Sequence, residues 1–262
     1  MIGNEEIAVR WRLAVQSDDV WVLHERGPNA HAGMCEGRWV TCAAVGGRPC
    51  YLKPSRSFGA AAVAAREKIA SDLAHDLGVP VPPFVLAPNS PFPEALPGVS
   101  LAPYGRIFAW RNAEPGLGMV TLPQAALPSV KEAAARLFAF DVWLEQVDHG
   151  PSGPNNLLLG FDPRVGGFER PALFGIDFEK SMHFDQAVLR LVPFPQYFSG
   201  SLSPEALFDA AGRIESLPAD IIEEVVRRVP VEYLDPGRAA AISAALIDRK
   251  ARLTSFLKEA LR

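Results

Sequence analysis

Between Phe138 and Met182 the chain sets acidic and amide side chains in an order that could do chemistry. Asp148 opens a loop carrying Gly150, Pro151, Gly153 and Pro154. Asn155 and Asn156 close that loop, directly ahead of the apolar run Leu157-Leu158-Leu159. Asp177 follows a second apolar run, Leu173-Phe174-Gly175-Ile176. A carboxylate at the head of a loop can orient a hydroxyl and accept its proton. An amide oxygen and a second carboxylate, each fixed at the end of a strand, are the hard oxygen ligands that Mg²⁺ takes while it holds nucleotide phosphates. The chemistry this order suits is phosphoryl transfer, which relies on positioning and electrostatics. Asp148 has a plainer reading as well, a loop cap that bonds backbone N–H groups.

These groups must be held by the elements around them. Ser129 reads as a helix N-cap with Glu132 three residues on, a capping box, and the helix runs to about Val147. Its stripe Val130, Ala134, Leu137, Asp141, Leu144 sets Asp141 on the apolar face, where it would brace the following loop through hydrogen bonds. His149 stands beside Asp148; it could contact phosphate or orient the loop, or have no role, and it is not read as a metal ligand. The two apolar runs are strands. After Met182 the pattern is helical: one helix from Ser203-Pro204-Glu205, one from Pro218, and a last one from about Pro236 to Leu261.

Upstream the period is that of strands. Residues 7 to 15 alternate, Val20 to His24 forms a second strand, and Arg38 to Val45 and Pro49 to Leu52 flank the Gly46-Gly47 turn of a hairpin. Gly27, Gly33 and Gly37 lie in a stretch that would either cover phosphates or form a surface loop. Residues 60 to 77 are Ala-rich without Pro or Gly, a helix ended at Gly78. Its stripe Val63, Glu67, Ala70, Ala74 places Glu67 among small apolar neighbours, and a carboxylate there needs a cation. Lys53, at the end of the preceding strand, is the natural partner; its alternative is a solvated surface lysine. Phe84 to Ala87 is a short strand, Asn89 to Pro103 a long loop, and Arg106 to Arg111 another strand.

FDVWLEQVDH…NNLLL followed by LFGIDFEKSM resembles the HipA-like kinases, relatives of the protein kinases and the phosphatidylinositol 3-/4-kinases. YLKP and REKIASDLAHDLGVPVPPFVL extend the resemblance over roughly Arg38 to Met182. It implies an α+β, bilobal protein kinase-like fold: a nucleotide-binding lobe over 1–112, with an antiparallel sheet plus a helix, and a mainly helical catalytic lobe over 113–262. It implies ATP- and Mg²⁺-dependent transfer to an alcohol, a protein Ser or Thr, with a small-molecule acceptor or a non-catalytic pseudokinase as the alternatives. Asp148 is then the catalytic base. Asn156, with Asn155 as the alternative, and Asp177 are the metal ligands. Lys53 braced by Glu67 holds phosphate, and the backbone near Phe108, Ala109 and Trp110 meets adenine, unless that strand is plain core. The sequence departs from the family in two places. Six residues separate Asp148 from Asn155 where the family has four, with His149 at the family's Arg position. Phe178-Glu179 stands where protein kinases have Phe-Gly.

Composition is consistent with this and narrows it little. Of 262 residues, 48% are hydrophobic and 21% charged, with a net charge of −4, which disfavours a broad nucleic-acid surface and offers no polybasic membrane patch. No apolar run approaches spanning length, and Cys35, Cys42 and Cys50 show no Cys-x-x-Cys pair, so free thiols in a cytoplasmic protein are expected, with no zinc site.

Overall fold

A computed structural model describes residues 21–23, 38–42, 48–53, 60–86, 98–101, 128–147, 149, 156–161, 171–182, 184 and 202–260. The expected strand over 7–15, the glycines of 27–37, the residues 106–111, and Asp148 and Asn155 lie outside them.

Five short strands form one antiparallel sheet in the order β1-β2-β3-β5-β4. They are β1 (Trp21–Leu23), β2 (Arg38–Cys42), β3 (Arg48–Lys53), β4 (Phe84–Leu86) and β5 (Gly98–Leu101). The hairpin read from Gly46-Gly47 is the β2–β3 pair, with Val40 opposite Cys50. Strand β5 corrects the long loop expected over 89–103. Its register sets Val99 opposite Leu52 on one side and Val85 on the other, so it joins β3 to β4. The alternation Gly-Val-Ser-Leu is only four residues long and is hemmed by Pro97 and Pro103, so pattern alone does not separate it from the Pro-rich segment around it.

Helix α1 (Ala60–Leu77) takes the bounds its composition predicts. Gly78, at φ 65°, ends it. Gly78 N–H donates to His75 O and Val79 N–H to Ala74 O at 2.8 Å, the two bonds of a Schellman end. Ile69, Ala70, Leu73 and Ala74 are fully buried, as the two-stripe pattern requires. Lys68 is buried too, which its type did not suggest. Its ammonium pairs with Asp72 one turn on at 2.9 Å and reaches Phe84 O of β4.

Helix α2 (Pro128–Leu144) starts two residues earlier than a cap at Ser129 would set it, with Pro128 as its first residue, so Ser129 lies within the helix. Proline is suited to a first helical position, where its missing N–H has no partner to lose. Strands β6 (Leu157–Phe161) and β7 (Pro171–Gly175) form a second sheet of two antiparallel strands. Four helices complete the described chain: α3 (Pro204–Ser216), α4 (Ala219–Arg227), α5 (Pro236–Lys250) and α6 (Leu253–Ala260). Ser203 caps α3 by accepting from Ala206 N–H, at the start read from Ser203-Pro204-Glu205.

The last two correct the single helix expected over 236–261. In an unbroken helix Thr254 N–H would bond Lys250 O. It bonds the Glu215 carboxylate of α3 instead, at 2.9 Å. The break lets α5 bury Ile242 and Leu246 while α6 turns Leu253 and Leu257 inward. Helix α2 lies at the centre, packed on α3, β7, α5 and α6, with Phe138, Phe140 and Trp143 buried. No helix among the described residues is long and apolar enough to cross a membrane.

Candidate active site

The β6–β7 ladder fixes where Asn156 and Asp177 stand. Its last pair is Leu157 opposite Gly175. One step beyond, Ile176 N–H donates to Asn156 O at 2.9 Å. Asn156 and Asp177 therefore leave the same end of the same ladder as near neighbours. Asn156 is the residue attached directly to β6; Asn155 lies outside the described residues, so the alternative in that pair stays open.

Asp177 is held in the left-handed region, φ 68° and ψ 67°. A non-glycine residue pays of order 1–3 kcal/mol for such a conformation and keeps it only where its surroundings impose it. Here the Gln146 amide donates to Asp177 O at 2.7 Å, and the 3₁₀ turn Phe178–Lys180 begins at the next residue. Ser181 closes that turn, its N–H and hydroxyl both donating to Phe178 O. Met182 N–H then returns to Leu144 O, the end of α2, at 2.8 Å. The non-glycine residues with positive φ among those described are Glu145, Asp177 and Met182, and all three border this site.

His149 is the centre of the bonding. Its Nδ1–H faces both carboxylate oxygens of Asp141 at 3.0 Å, and its Nε2 lies 2.8 Å from Ile176 O. The Gln146 amide also reaches Nε2, at 3.2 Å, so both ring nitrogens are bonded within the site. Burial pulls the imidazole pKa down, but the Asp141 charge and hydrogen bond, the Ile176 carbonyl and Asp177 more than offset it, and the pKa is raised. Burial raises the Asp141 carboxyl, and its interaction with His149 works against that without cancelling it. The ring edge meets Phe178 at 4.9 Å between centroids, and Phe178 meets Phe140 of α2 at 5.9 Å. Of the two roles weighed for His149, the structure supports orientation. It ties α2, the Asp148 loop and the segment bearing Asp177 into one unit.

The sign of the pH dependence follows. A pKa raised on folding stabilises the fold fully below the ordinary histidine value of about 6.5 and loses that contribution as pH rises through the folded value. Thermal unfolding of the protein should therefore show a fall in Tm as pH is raised above neutrality. The fall should be absent from Asp141→Asn, which has no carboxylate to hold the proton; an equal fall in that variant would remove His149 as its source.

Gly175 shows how closely β7 sits on this unit. A Cβ there would lie 2.6 Å from Leu137 Cδ1 and 3.0 Å from His149 Cε1. Gly175→Ala should cost about 1–3 kcal/mol in chemical denaturation, as overpacking does. Combining it with Leu137→Ala should recover part of that loss, and strict additivity of the two would show that Leu137 is not what the methyl meets.

Helix α1 reaches the site from the other side. Arg66 donates to Glu179 O at 2.8 Å, which fixes the 3₁₀ turn against α1. Glu67 is 5% exposed, buried as its stripe implies. Lys53 ends β3 opposite Gly98, but its side chain lies outside the described residues, as do Phe108, Ala109 and Trp110. Sequence reasoning missed Gln146 and Arg66 as supports. The one signal for Gln146 was its place between two residues already singled out, Asp141 and His149.

No family model matches the chain, and no curated protein matches it. Among solved structures the chain is similar to the Helicobacter pylori proinflammatory kinase CtkA. The TM-score is 0.55 at 11% sequence identity, over 92% of this chain and 97% of that one. At that identity the likeness is one of fold. The mainly helical chain with its small sheets thus shares an α+β, kinase-like architecture.

Proposed function

We propose that this chain is an ATP- and Mg²⁺-dependent kinase of the HipA-like kind, transferring the γ-phosphoryl group to a Ser or Thr hydroxyl of a protein. One observation carries the reading: Asn156 and Asp177 emerge side by side from one ladder end, with Asp177 in the left-handed region and its carbonyl bonded by the Gln146 amide. Strained residues gathered at one place mark function more often than chance.

An amide oxygen and a carboxylate suit a hard cation, so Asn156 and Asp177 would hold Mg²⁺. The ion, when bound with ATP, would neutralise charge on the phosphate oxygens. The chain's own residues do the rest. Asp148 would orient the acceptor hydroxyl and take its proton as the oxygen attacks the γ-phosphorus and the bond to ADP breaks. Lys53, braced by Glu67, would hold the α- and β-phosphates, and the backbone of Phe108, Ala109 and Trp110 would meet adenine. His149 and Asp141 touch no substrate in this scheme; they set the loop.

A thermal-shift series with ATP, with and without Mg²⁺, tests the reading. A ligand that binds only the folded state must raise the Tm, by an amount equivalent to about 2.7 kcal/mol at a hundredfold excess over Kd. A metal-dependent rise followed by ATP turnover on a protein substrate supports it. Turnover on a small molecule alone would move the acceptor class. A rise without turnover would leave a nucleotide-binding pseudokinase, for which the tethered Glu179 in place of glycine would be the first suspect. No rise at all would overturn the proposal.

A further inference from the structure

The last turn of α2 leaves four carbonyls without helical partners, and the structure assigns every one. Asp141 O accepts from Gln146 N–H and Leu144 O from Met182 N–H. The other two go to one side chain of the C-terminal helices. Arg249 Nε donates to Trp143 O at 2.8 Å, and its Nη2 donates to Val142 O at 2.6 Å. Its Nη1 lies 3.9 Å from the carboxylate of Glu145, the left-handed residue with which the loop begins. The bond is reciprocated one turn earlier on α5, where Leu246 O accepts from Trp143 Nε1–H at 2.9 Å. The guanidinium also lies over two rings, Phe256 of α6 at 5.1 Å and Phe184, just past the Asp177 segment, at 5.5 Å.

We infer that Arg249 is a positioning residue for the phosphoryl-transfer site, an inference that rests on the kinase reading above. It is 7% exposed, and a buried guanidinium is retained only where its fork is used. Here the fork reaches the chain on both sides of the site. Through Val142, Trp143 and Glu145 it fixes where the Asp148 loop departs. Through Phe184 it fixes where the Asp177 segment goes. The bonds Gln146 N–H to Asp141 O and Met182 N–H to Leu144 O depend on the same turn staying closed, and they hold the two flanks together. No motif read from the sequence reaches this far along the chain, so the C-terminal helices gain a role besides core.

Arg249→Lys tests it in the full chain. Lysine keeps a charge beside Glu145 but cannot bond two carbonyls as a fork. Hydrogen exchange followed amide by amide should show Gln146 and Met182 losing about tenfold in protection, with Val225 and Val226 of α4 unchanged. With Mg·ATP, KM for ATP should stay within about twofold while kcat falls by tenfold to a hundredfold, the scale expected when reacting groups are displaced by about an ångström. A uniform loss of protection, or selective loss with kcat unchanged, would overturn the inference, since Arg249 would then be a stabilising residue only. A parent protein without turnover is a different failure. It sinks the kinase reading and the catalytic part of this one, while the exchange data still report whether the clamp exists.

Discussion

Asp148→Asn should bind Mg·ATP as the parent does and lose phosphoryl transfer by about a hundredfold to ten-thousandfold, the span that a positioned general base supplies. Asparagine keeps the shape of the side chain and can still accept a hydrogen bond, but it is a far weaker base. Gln146 on one side of Asp148 is buried and bonded to Asp177 O; His149 on the other is buried and bonded to Asp141 and Ile176 O. Anchors at Gln146 and His149 suit a general base between them, which needs a fixed position. A loop-capping aspartate would not need them. Its replacement would move the Tm and leave the rate alone, and that result, with a verified acceptor, would remove Asp148 as the base. Nucleotide affinity has to be measured in the same variant, because a loss of binding would place Asp148 among the metal or phosphate contacts instead.

How much of this was legible in the sequence depends on the range of the contact concerned. Helix α1 was readable to its ends because composition, stripe and the terminal glycine agree within eighteen residues. The burial of Asp141 and Glu67 was readable for the same reason: a helical stripe states which face is inside. The order Asp148, Asn156, Asp177 was readable as a motif, and the register of β6 on β7 turned the separation of Asn156 and Asp177 along the chain into adjacency. What the sequence did not carry was any bond between distant segments. Arg66 to Glu179 and Arg249 to Trp143 each span over a hundred residues. Each is made by an arginine that a helical pattern would set in solvent. Strand β5 and the break between α5 and α6 failed for a related reason. In both, the deciding partner is elsewhere: β3 and β4 for the strand, Glu215 for Thr254 N–H.

Asp141→Ala should destabilise the fold by about 3–5 kcal/mol, the cost of removing one member of a buried ion pair and leaving the other charged and unpartnered. His149 is 2% exposed and has no water to turn to; it must either lose its proton or stay charged in a dry site. If it loses the proton, the Nε2–H tautomer keeps its bond to Ile176 O and loses only the Nδ1 partner, whereas the Nδ1–H tautomer sets a lone pair against Ile176 O and loses both. The loss should therefore not be confined to stability. Ile176 O and Asp177 O are the acceptors that His149 and Gln146 hold, so the left-handed turn at Asp177 should loosen and Mg²⁺-dependent nucleotide stabilisation should weaken. A double-mutant cycle with His149→Phe separates the pair from its surroundings. Phenylalanine keeps the ring against Phe178 and removes both nitrogens, so Asp141→Ala should cost far less in that background, with a coupling energy of about 0.5–3 kcal/mol. Equal cost in both backgrounds would mean that Asp141 stabilises α2 without His149, and the ion pair would lose its place as the brace of the site.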